Sequence, residues 1–273
     1  MIPLSIIIPH KDSSKLLERL LRSIPLSIGA QVMVIDDHST PEEYQALEAL
    51  SKAYPFELYR NSSNRFGAGV ARNIGLEYSK GEWIIFADVG DLFLDTLAAK
   101  FKKYKDSACD IVFFDVSSSC SDTSKPIYKY KNTKSAIKKY LRTKNEGHLR
   151  YNYLAPCGKF IKQSLLAENY IDFEKIILGS EVVFSIKSGL AAKSICYDPK
   201  PIYQLTASVK NTISPLTKEN FDSKFKSTLR ANKLLRDNNK DKFQISILYF
   251  LAKAPKFGFR YFISVVSMCL KTQ

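Results

Sequence analysis

The amino-acid sequence predicts an α/β fold with a mostly parallel sheet flanked by helices. Its amino-terminal part alternates short apolar runs with segments of helical periodicity, the order that gives parallel strands joined by crossover helices. The apolar runs are continuous, as in strands that are buried on both faces of a sheet. The chain has 273 residues, of which 45% are hydrophobic, so it can form one large α/β domain with appendages.

Strands are predicted at residues 4–8, 31–35, 56–59 and 83–87. The first ends at Pro9, which cannot donate a ladder hydrogen bond. Acidic residues follow two of the others, namely Asp36, Asp37, Asp88 and Asp91. Because parallel strands end at the same edge of a sheet, we expect these carboxylates to converge on one ligand-binding crevice.

Helices are predicted between the strands. The first is expected to bury its leucines and to expose Glu18, Arg19 and Arg22. The last is expected to close at Gly81. The predicted starts are Asp12 or Ser13, then Ser39 or Thr40, then Ala68.

Asp88 and Asp91 have the chemistry of a magnesium or manganese site. Carboxylate oxygens are hard ligands, and a cation held by one or two of them keeps positions free for phosphate oxygens. The alternative is an ordinary turn, since Asp and Gly are common turn residues and a helix is expected near Asp95.

Several short motifs together resemble the family 2 glycosyltransferases with the GT-A (Rossmann-like) fold. They are residues 4–9, the Asp36-Asp37-His38-Ser39 motif, residues 69–75 and residues 82–88. The resemblance spans residues 4–95 in order and spacing and is weaker as far as residue 214. It implies a glycosyltransferase domain at 1–215, with a nucleotide-sugar-binding half at 1–95 and an acceptor half at 96–215. Residues 216–273 are expected to form a helical, basic and aromatic extension.

The resemblance also implies roles for individual residues around a nucleotide-diphosphate-sugar donor. Pro9, His10 and Asp12 would lie beside the base, Asp37 supported by Asp36 would accept a hydrogen bond from it, and Arg72 would reach the nucleotide. Asp88 and Asp91 would bind the ribose and a divalent cation, Mn²⁺ or Mg²⁺. Gly90 departs from the family pattern, since an acid is usual there.

Within the acceptor half, a turn that begins at Ala155 is expected to lead into a helix with Lys159 at its start. By resemblance, Glu181 occupies the position of the general base that deprotonates the acceptor hydroxyl, and Ser180 replaces an acid that usually precedes it. Inversion of the anomeric carbon is likewise implied. The alternative for Glu181 is a helix-start acid that interacts with the helix dipole. Residues 203–208 resemble the family's closing strand, with no role assigned.

Five cysteines, at positions 109, 120, 157, 196 and 269, are an odd number with no close pair. The sequence therefore predicts neither a disulfide framework nor a zinc site and favours a reducing cytoplasm. No signal peptide is expected, because the first apolar run is short and ends at a proline.

The formal charge of +14 requires a partner or a surface that explains it. Basic residues recur in residues 125–144 and 224–236, but no nucleic-acid motif accompanies them, so nucleic acid is a minor alternative. Residues 243–252 and 257–270 are aromatic, apolar and too short to span a bilayer. They suit amphipathic helices at a membrane surface, or helices packed on the main domain or on a second subunit in a homodimer.

The sequence therefore predicts an inverting glycosyltransferase that acts at the cytoplasmic face of a membrane. It would move a sugar from a nucleotide-diphosphate-sugar to an acceptor glycan or a lipid-linked glycan in surface polysaccharide biosynthesis. The competing hypothesis is a non-catalytic nucleotide-sugar-binding or scaffolding homologue, because Gly90 and Ser180 stand where acids are usual.

Overall fold

A computed structural model describes residues 2–120, 131–207 and 216–271. Its centre is an eight-stranded sheet with the order β3-β2-β1-β4-β7-β6-β8-β5. The strands are β1 Leu4–His10, β2 Gln31–Asp36, β3 Glu57–Arg60, β4 Trp83–Phe86, β5 Leu92–Phe93, β6 Ile111–Cys120, β7 Lys159–Lys162 and β8 Ile195–Ala207. The helices are α1 Ser14–Arg22, α2 Pro41–Ala53, α3 Ala68–Tyr78, α4 Thr96–Tyr104, α5 Lys131–Thr143, α6 Gly147–Asn152, α7 Gln163–Glu168, α8 Ser180–Ala191, α9 Lys218–Asp237, α10 Leu248–Lys253 and α11 Phe259–Lys271.

The first four strands pair in parallel as predicted. β1 lies between β2 and β4, and β3 forms the outer edge beside β2. Apolar side chains of β1, β2 and β4 are almost fully buried, which is why their runs are continuous in the sequence. Their carboxyl ends therefore meet at one edge of the sheet.

The rest of the sheet is mixed, and here one prediction is wrong. Residues after the turn at Gly158 form strand β7 and not a helix that starts at Lys159. β7 is antiparallel to β4 on one side and to β6 on the other. A strand of four residues carries too little local pattern to be distinguished from the start of a helix.

Some predicted helix details also change. Arg19 is half-buried and does not lie on a solvent face, because its guanidinium reaches the loop after β4. Gly81 does not close α3, which ends at Tyr78. Gly81 instead lies against β1, where an added Cβ would stand 2.4 Å from the backbone nitrogen of Ser5. Thr40 caps α2 by accepting a hydrogen bond from the backbone of Glu43.

The expectation of no disulfide is also wrong, since Cys109 and Cys196 are joined by one. Their separation of 87 residues in the chain hid this pairing from the sequence analysis. β6 and β8 run side by side in parallel, and Cys196 lies opposite Val112 in that ladder. Cys157 and Cys269 are buried.

Of the carboxyl-terminal helices, α9 packs on α8, and α10 and α11 pack on α9. Phe221, Phe225 and Leu229 of α9 form an apolar cluster with Phe250 of α10 and with Val265 of α11. Other large apolar side chains of this region are exposed, among them Leu248, Tyr249, Phe259, Ile263 and Leu270. None of the helices in the described ranges is both long enough and apolar enough to cross a membrane. Residues 125–130 of the predicted basic segment and Ser208 of the predicted closing strand lie outside the described residues.

Candidate active site

The loops after β1 and β2 are tied to each other. The backbone N–H of Asp12 donates to Ser39 Oγ over 2.9 Å, and Asp12 Oδ1 accepts from the backbone N–H of Thr40 over 2.8 Å. Asp12 has a positive φ of 45°, which Asp tolerates better than most residues. These bonds fix the loop that begins at Pro9 against the acidic end of β2.

His10 and Asp36 form a buried pair beneath these loops. The backbone N–H of Ser13 donates to His10 Nε2 over 3.2 Å, so the ring proton of the neutral imidazole sits on Nδ1. Nδ1 lies 3.7 Å from Asp36 Oδ1. Burial lowers the pKa of His10, although the charge of Asp36 acts in the opposite direction. Among the described residues no donor lies within hydrogen-bonding distance of either carboxylate oxygen of Asp36.

Asp37 organises the approach to helix α3. Its Oδ1 accepts from Asn61 Nδ2 over 2.7 Å, and its Oδ2 accepts from the backbone N–H of Gly67 over 2.6 Å. Gly67 has a φ of +116°, which strongly favours glycine, and it is the N-cap of α3. Each carboxylate oxygen has a second acceptor position, so Asp37 can still accept a hydrogen bond from a ligand.

Helix α3 packs closely on the first turn of helix α8. An added Cβ on Gly69 would stand 2.6 Å from the Cβ of Ser180, at the first turn of α8. The close approach explains why small residues occupy both positions. Ser180, which stands where the family usually has an acid, is therefore a packing residue in this chain.

Arg72 joins helix α3 to the loop after β4. Its Nη2 donates to Asp88 Oδ1 over 2.6 Å, and its guanidinium lies 5.3 Å from the ring centre of Phe173. Burial acts to lower the pKa of Arg72, but the negative charges of Asp88 and Glu181 raise it, so the guanidinium stays charged. Glu181 thus acts electrostatically on the same cation that binds Asp88.

The loop after β4 is fixed by residues far away in the chain. Tyr203 Oη accepts from the backbone N–H of Asp88 over 2.8 Å and donates to Asp91 Oδ2 over 3.1 Å. Asp91 Oδ1 accepts from the backbone N–H of Thr206 over 2.7 Å. Arg19 and Thr206 both donate to the backbone oxygen of Gly90. Asp91 is fully buried and holds the loop, whereas the Asp88 side chain is 21% exposed.

The residues present fit a cation shared with a diphosphate better than one held by protein alone. Among the described residues no group of three or more His, Cys, Asp and Glu side chains could hold a metal ion. Asp91 directs both carboxylate oxygens at β8, while Asp88 retains access to the crevice. One or two carboxylates are sufficient when phosphate oxygens supply other ligands.

Glu181 lies at the start of α8 and lines a cavity of about 420 Å³. Ala155 and Lys224 line the same cavity, as does Tyr249 from the carboxyl-terminal extension. A half-buried carboxylate that faces a cavity of this size can accept a proton from a bound hydroxyl group.

The structure therefore brings Pro9, His10, Asp12, Asp36 and Asp37 together at the ends of β1 and β2. Arg72, Asp88 and Asp91 meet at the end of β4, and Glu181 faces a separate cavity that adjoins α8. The sequence alone does not identify three of the positioning residues, namely Asn61, Tyr203 and Thr206. Only residues 203–208 carried a signal, as a segment that resembled the family's closing strand.

Solved glycosyltransferase structures share this architecture. Staphylococcus aureus TarS residues 1–349 in complex with UDP-GlcNAc superposes with a TM-score of 0.71 and 19% identity, over 97% of this chain and 79% of that one. The mannosyltransferase PcManGT from Pyrobaculum calidifontis, solved with GDP-Man and Mn²⁺, gives a TM-score of 0.55 and 16% identity, over 99% of this chain and 80% of that one. The predicted GT-A fold is confirmed.

A family model identifies the family to which the chain belongs. The model of Glycosyl transferase family 2 matches residues 5–169, more than half of the chain. The chain belongs to this family of glycosyltransferase enzymes.

Named relatives match over shorter stretches. An uncharacterised glycosyltransferase of Haemophilus influenzae is 36% identical over 33% of this chain and 30% of its own length. The TarS poly(ribitol-phosphate) β-N-acetylglucosaminyltransferase of Staphylococcus aureus is 30% identical over 33% of this chain and 17% of its own. A poly(ribitol-phosphate) β-glucosyltransferase of Bacillus spizizenii is 27% identical over 70% of this chain and 30% of its own. The matches thus cover less than a third of each relative.

Proposed function

We propose that this protein is an inverting glycosyltransferase that moves a sugar from a nucleotide-diphosphate-sugar to the hydroxyl group of a glycan or a lipid-linked glycan. The observation that carries the proposal is the Arg72–Asp88 ion pair at the end of β4, with Glu181 acting on the same guanidinium from the acceptor side. The donor site and the carboxylate base would then lie on either side of the buried guanidinium of Arg72.

The donor would lie across the ends of β1, β2 and β4. Asp37, fixed by Asn61 and Gly67, would accept a hydrogen bond from the edge of the base. Asp36 and His10 would support this loop from below. Asp88 would face the ribose and diphosphate, held in place by Arg72.

A divalent cation, Mn²⁺ or Mg²⁺, would be held by Asp88 together with the diphosphate, where it would neutralise negative charge on the leaving group. Asp91, which the sequence analysis placed among the metal ligands, is proposed to position Asp88 through Tyr203.

Glu181 would take the proton of the acceptor hydroxyl as its oxygen bonds to the anomeric carbon. The bond from that carbon to the diphosphate oxygen breaks in the same step, which inverts its configuration. The nucleoside diphosphate leaves with the electron pair of that bond.

A membrane surface is the proposed location. Exposed apolar side chains at Leu248, Phe259 and Ile263 lie in a segment that also carries Lys253 and Arg260. Aromatic and apolar groups beside basic ones suit an interface with anionic lipid. A homodimer that covers the same apolar face is the competing proposal. The disulfide removes the thiol argument for a reducing compartment, so a cytoplasmic location rests on the proposed donor.

The second candidate function is a non-catalytic homologue that binds a nucleotide-sugar. Gly90 supports the non-catalytic candidate, because it provides no carboxylate where the family usually has an acid. Its φ of +99° favours glycine at this position, and its backbone oxygen accepts a hydrogen bond from Thr206. Turnover separates the two candidates.

The test is nucleotide release from a panel of UDP-, GDP- and dTDP-sugars with Mn²⁺ or Mg²⁺. Asp88→Asn is compared with Asp106→Asn, a matched change at a side chain that is 82% exposed. We expect release by the wild type and by the Asp106 variant, and a loss of at least about tenfold in the Asp88 variant. Donor binding without release in the wild type would favour the non-catalytic homologue. Equal release by both variants would refute the role of Asp88.

A further inference from the structure

A second cavity continues the one that Glu181 lines. It has a volume of about 530 Å³ and lies between α5, α6 and the segment that precedes α10. The residues that line both cavities are Asn132, Leu154, Ile245, Ser246 and Tyr249. The two cavities therefore form one groove, which we call the acceptor groove.

The carboxyl-terminal wall of the acceptor groove is fixed. Asn232 Nδ2 donates to the backbone oxygen of Ile245 over 2.9 Å, and the backbone N–H of Ile245 donates to Asn232 Oδ1 over 2.7 Å. Asn152 Nδ2 donates to the backbone oxygen of Phe243 over 3.0 Å. The Phe243 ring fills the space beside Gly147, where an added Cβ would stand 2.0 Å from it. The groove is thus a preformed feature.

The two ends of the groove differ in charge. Glu181 and Lys224 line one end, so its formal charges balance, whereas Lys139, His148 and Lys242 line the other. Lys242 Nζ lies 5.2 Å from the centre of the Phe243 ring, and neither Lys139 nor Lys242 forms an ion pair with a described residue. Among the described residues that line either cavity, Glu181 is the only acidic one. The far end of the groove is therefore suited to an anion.

Tyr249 lies between these ends. Its side chain is 55% exposed, and it lines both cavities. An exposed aromatic ring offers an apolar face to a sugar ring while its hydroxyl remains in contact with water.

We propose that the acceptor groove binds an acceptor that carries a phosphate or carboxylate group. Lys139 and Lys242 would bind the anion, Tyr249 would support the intervening sugar or polyol, and Glu181 would meet the hydroxyl that receives the sugar. This inference rests on the proposed function in assigning the bound molecule as an acceptor. It gives the carboxyl-terminal extension a role in specificity, in addition to any role at a membrane.

The test measures binding without a donor, by saturation-transfer NMR titration of three probes. Glucose is the neutral probe, glucose 6-phosphate carries a phosphate, and glucuronic acid carries a carboxylate. Lys139→Gln/Lys242→Gln is compared with Lys52→Gln/Lys102→Gln, which removes the same charge from two exposed sites on α2 and α4.

We expect at least one anionic probe to bind the wild type about fivefold more tightly than glucose. That preference is lost in the Lys139/Lys242 variant and kept in the Lys52/Lys102 variant. Tyr249→Ala is expected to weaken all the probes by a similar factor. The preferred anion identifies phosphate or carboxylate as the group that is bound.

The proposal is overturned if glucose binds the wild type as tightly as both anions, if the preference survives in the Lys139/Lys242 variant, or if the control pair loses it equally. The readout does not depend on turnover. Nucleotide release without an anion preference would therefore refute only the groove proposal, and an anion preference without release would refute only the proposed function.

Discussion

Lys159 is a buried amine whose replacement gives a pH-dependent change in stability. The residue is 2% exposed, and its Nζ lies 3.2 Å from the backbone oxygen of Tyr153 and 3.4 Å from Ser185 Oγ. The rings of Phe113 and Tyr153 also face it. Burial lowers the pKa of Lys159 to about 7.

The magnitude follows from the difference between the folded and unfolded pKa. The unfolded lysine keeps its proton up to about pH 10.5, whereas the folded one loses it near pH 7. Between these values the unfolded state binds more protons, so wild-type stability rises with pH. Below pH 7 the cost of the buried charge is fully present, on the order of 5 kcal/mol from 3.5 pH units at about 1.4 kcal/mol each.

Lys159→Met removes the titrating group and is expected to be more stable than the wild type at pH 6. We expect this advantage to shrink by about 3 kcal/mol between pH 6 and pH 9. Urea unfolding followed by the fluorescence of Trp83 measures the free energy at each pH. Lys162→Met on the same strand is the control, with no such pH dependence expected. A constant difference between wild type and Lys159→Met across this range would refute the reasoning.

Two further predictions concern other buried groups. Tyr203→Phe removes the phenolic hydroxyl that bonds the backbone N–H of Asp88 and a carboxylate oxygen of Asp91. We therefore expect the free energy of unfolding in urea to fall by about 1–3 kcal/mol and the KM for the donor to rise. An unchanged KM would contradict the positioning role. Burial acts to raise the pKa of Asp198, but hydrogen bonds from neighbours such as Lys100 lower it to about 2. The stability that Asp198 contributes is therefore present above about pH 4 and lost as the pH falls towards 2. Acid unfolding curves of the wild type and of Asp198→Asn should converge near pH 2. Curves that stay equally separated down to that pH would refute the contribution of Asp198.

The sequence was sufficient for the parallel half of the fold because each strand there is an uninterrupted apolar run. The same logic placed Asp36, Asp37 and Asp88 at one edge of the sheet, since the point where each strand ends is local information and parallel strands end at the same edge. The resemblance to the family added the hypothesis that Glu181 is the general base, whereas periodicity alone indicated only an acid at the start of a helix.

The features of the fold and the site that the sequence did not predict depend on contacts between residues that are distant in the chain. Arg19 and Thr206 are 187 residues apart, yet their hydrogen bond helps to hold the loop at Gly90. The Cys109–Cys196 disulfide and strand β7 likewise follow from which strands become neighbours in the sheet. No local pattern encodes such pairings, so they appear only in the folded structure.

The most direct test of the proposed function compares two helix-start acids. Glu181 lies in the first turn of α8 and lines a cavity, whereas Glu219 lies in the first turn of α9 and is exposed. Glu181→Gln and Glu219→Gln should each change stability by less than about 1 kcal/mol, because both lose a similar interaction with a helix dipole.

The measurement is nucleotide release from the donor that the panel identifies. If Glu181 is the general base, its variant should lose at least about 100-fold in kcat while donor affinity stays unchanged, and Glu219→Gln should match the wild type. Equal rates for the two variants would contradict catalysis by Glu181 and leave it a helix-start acid.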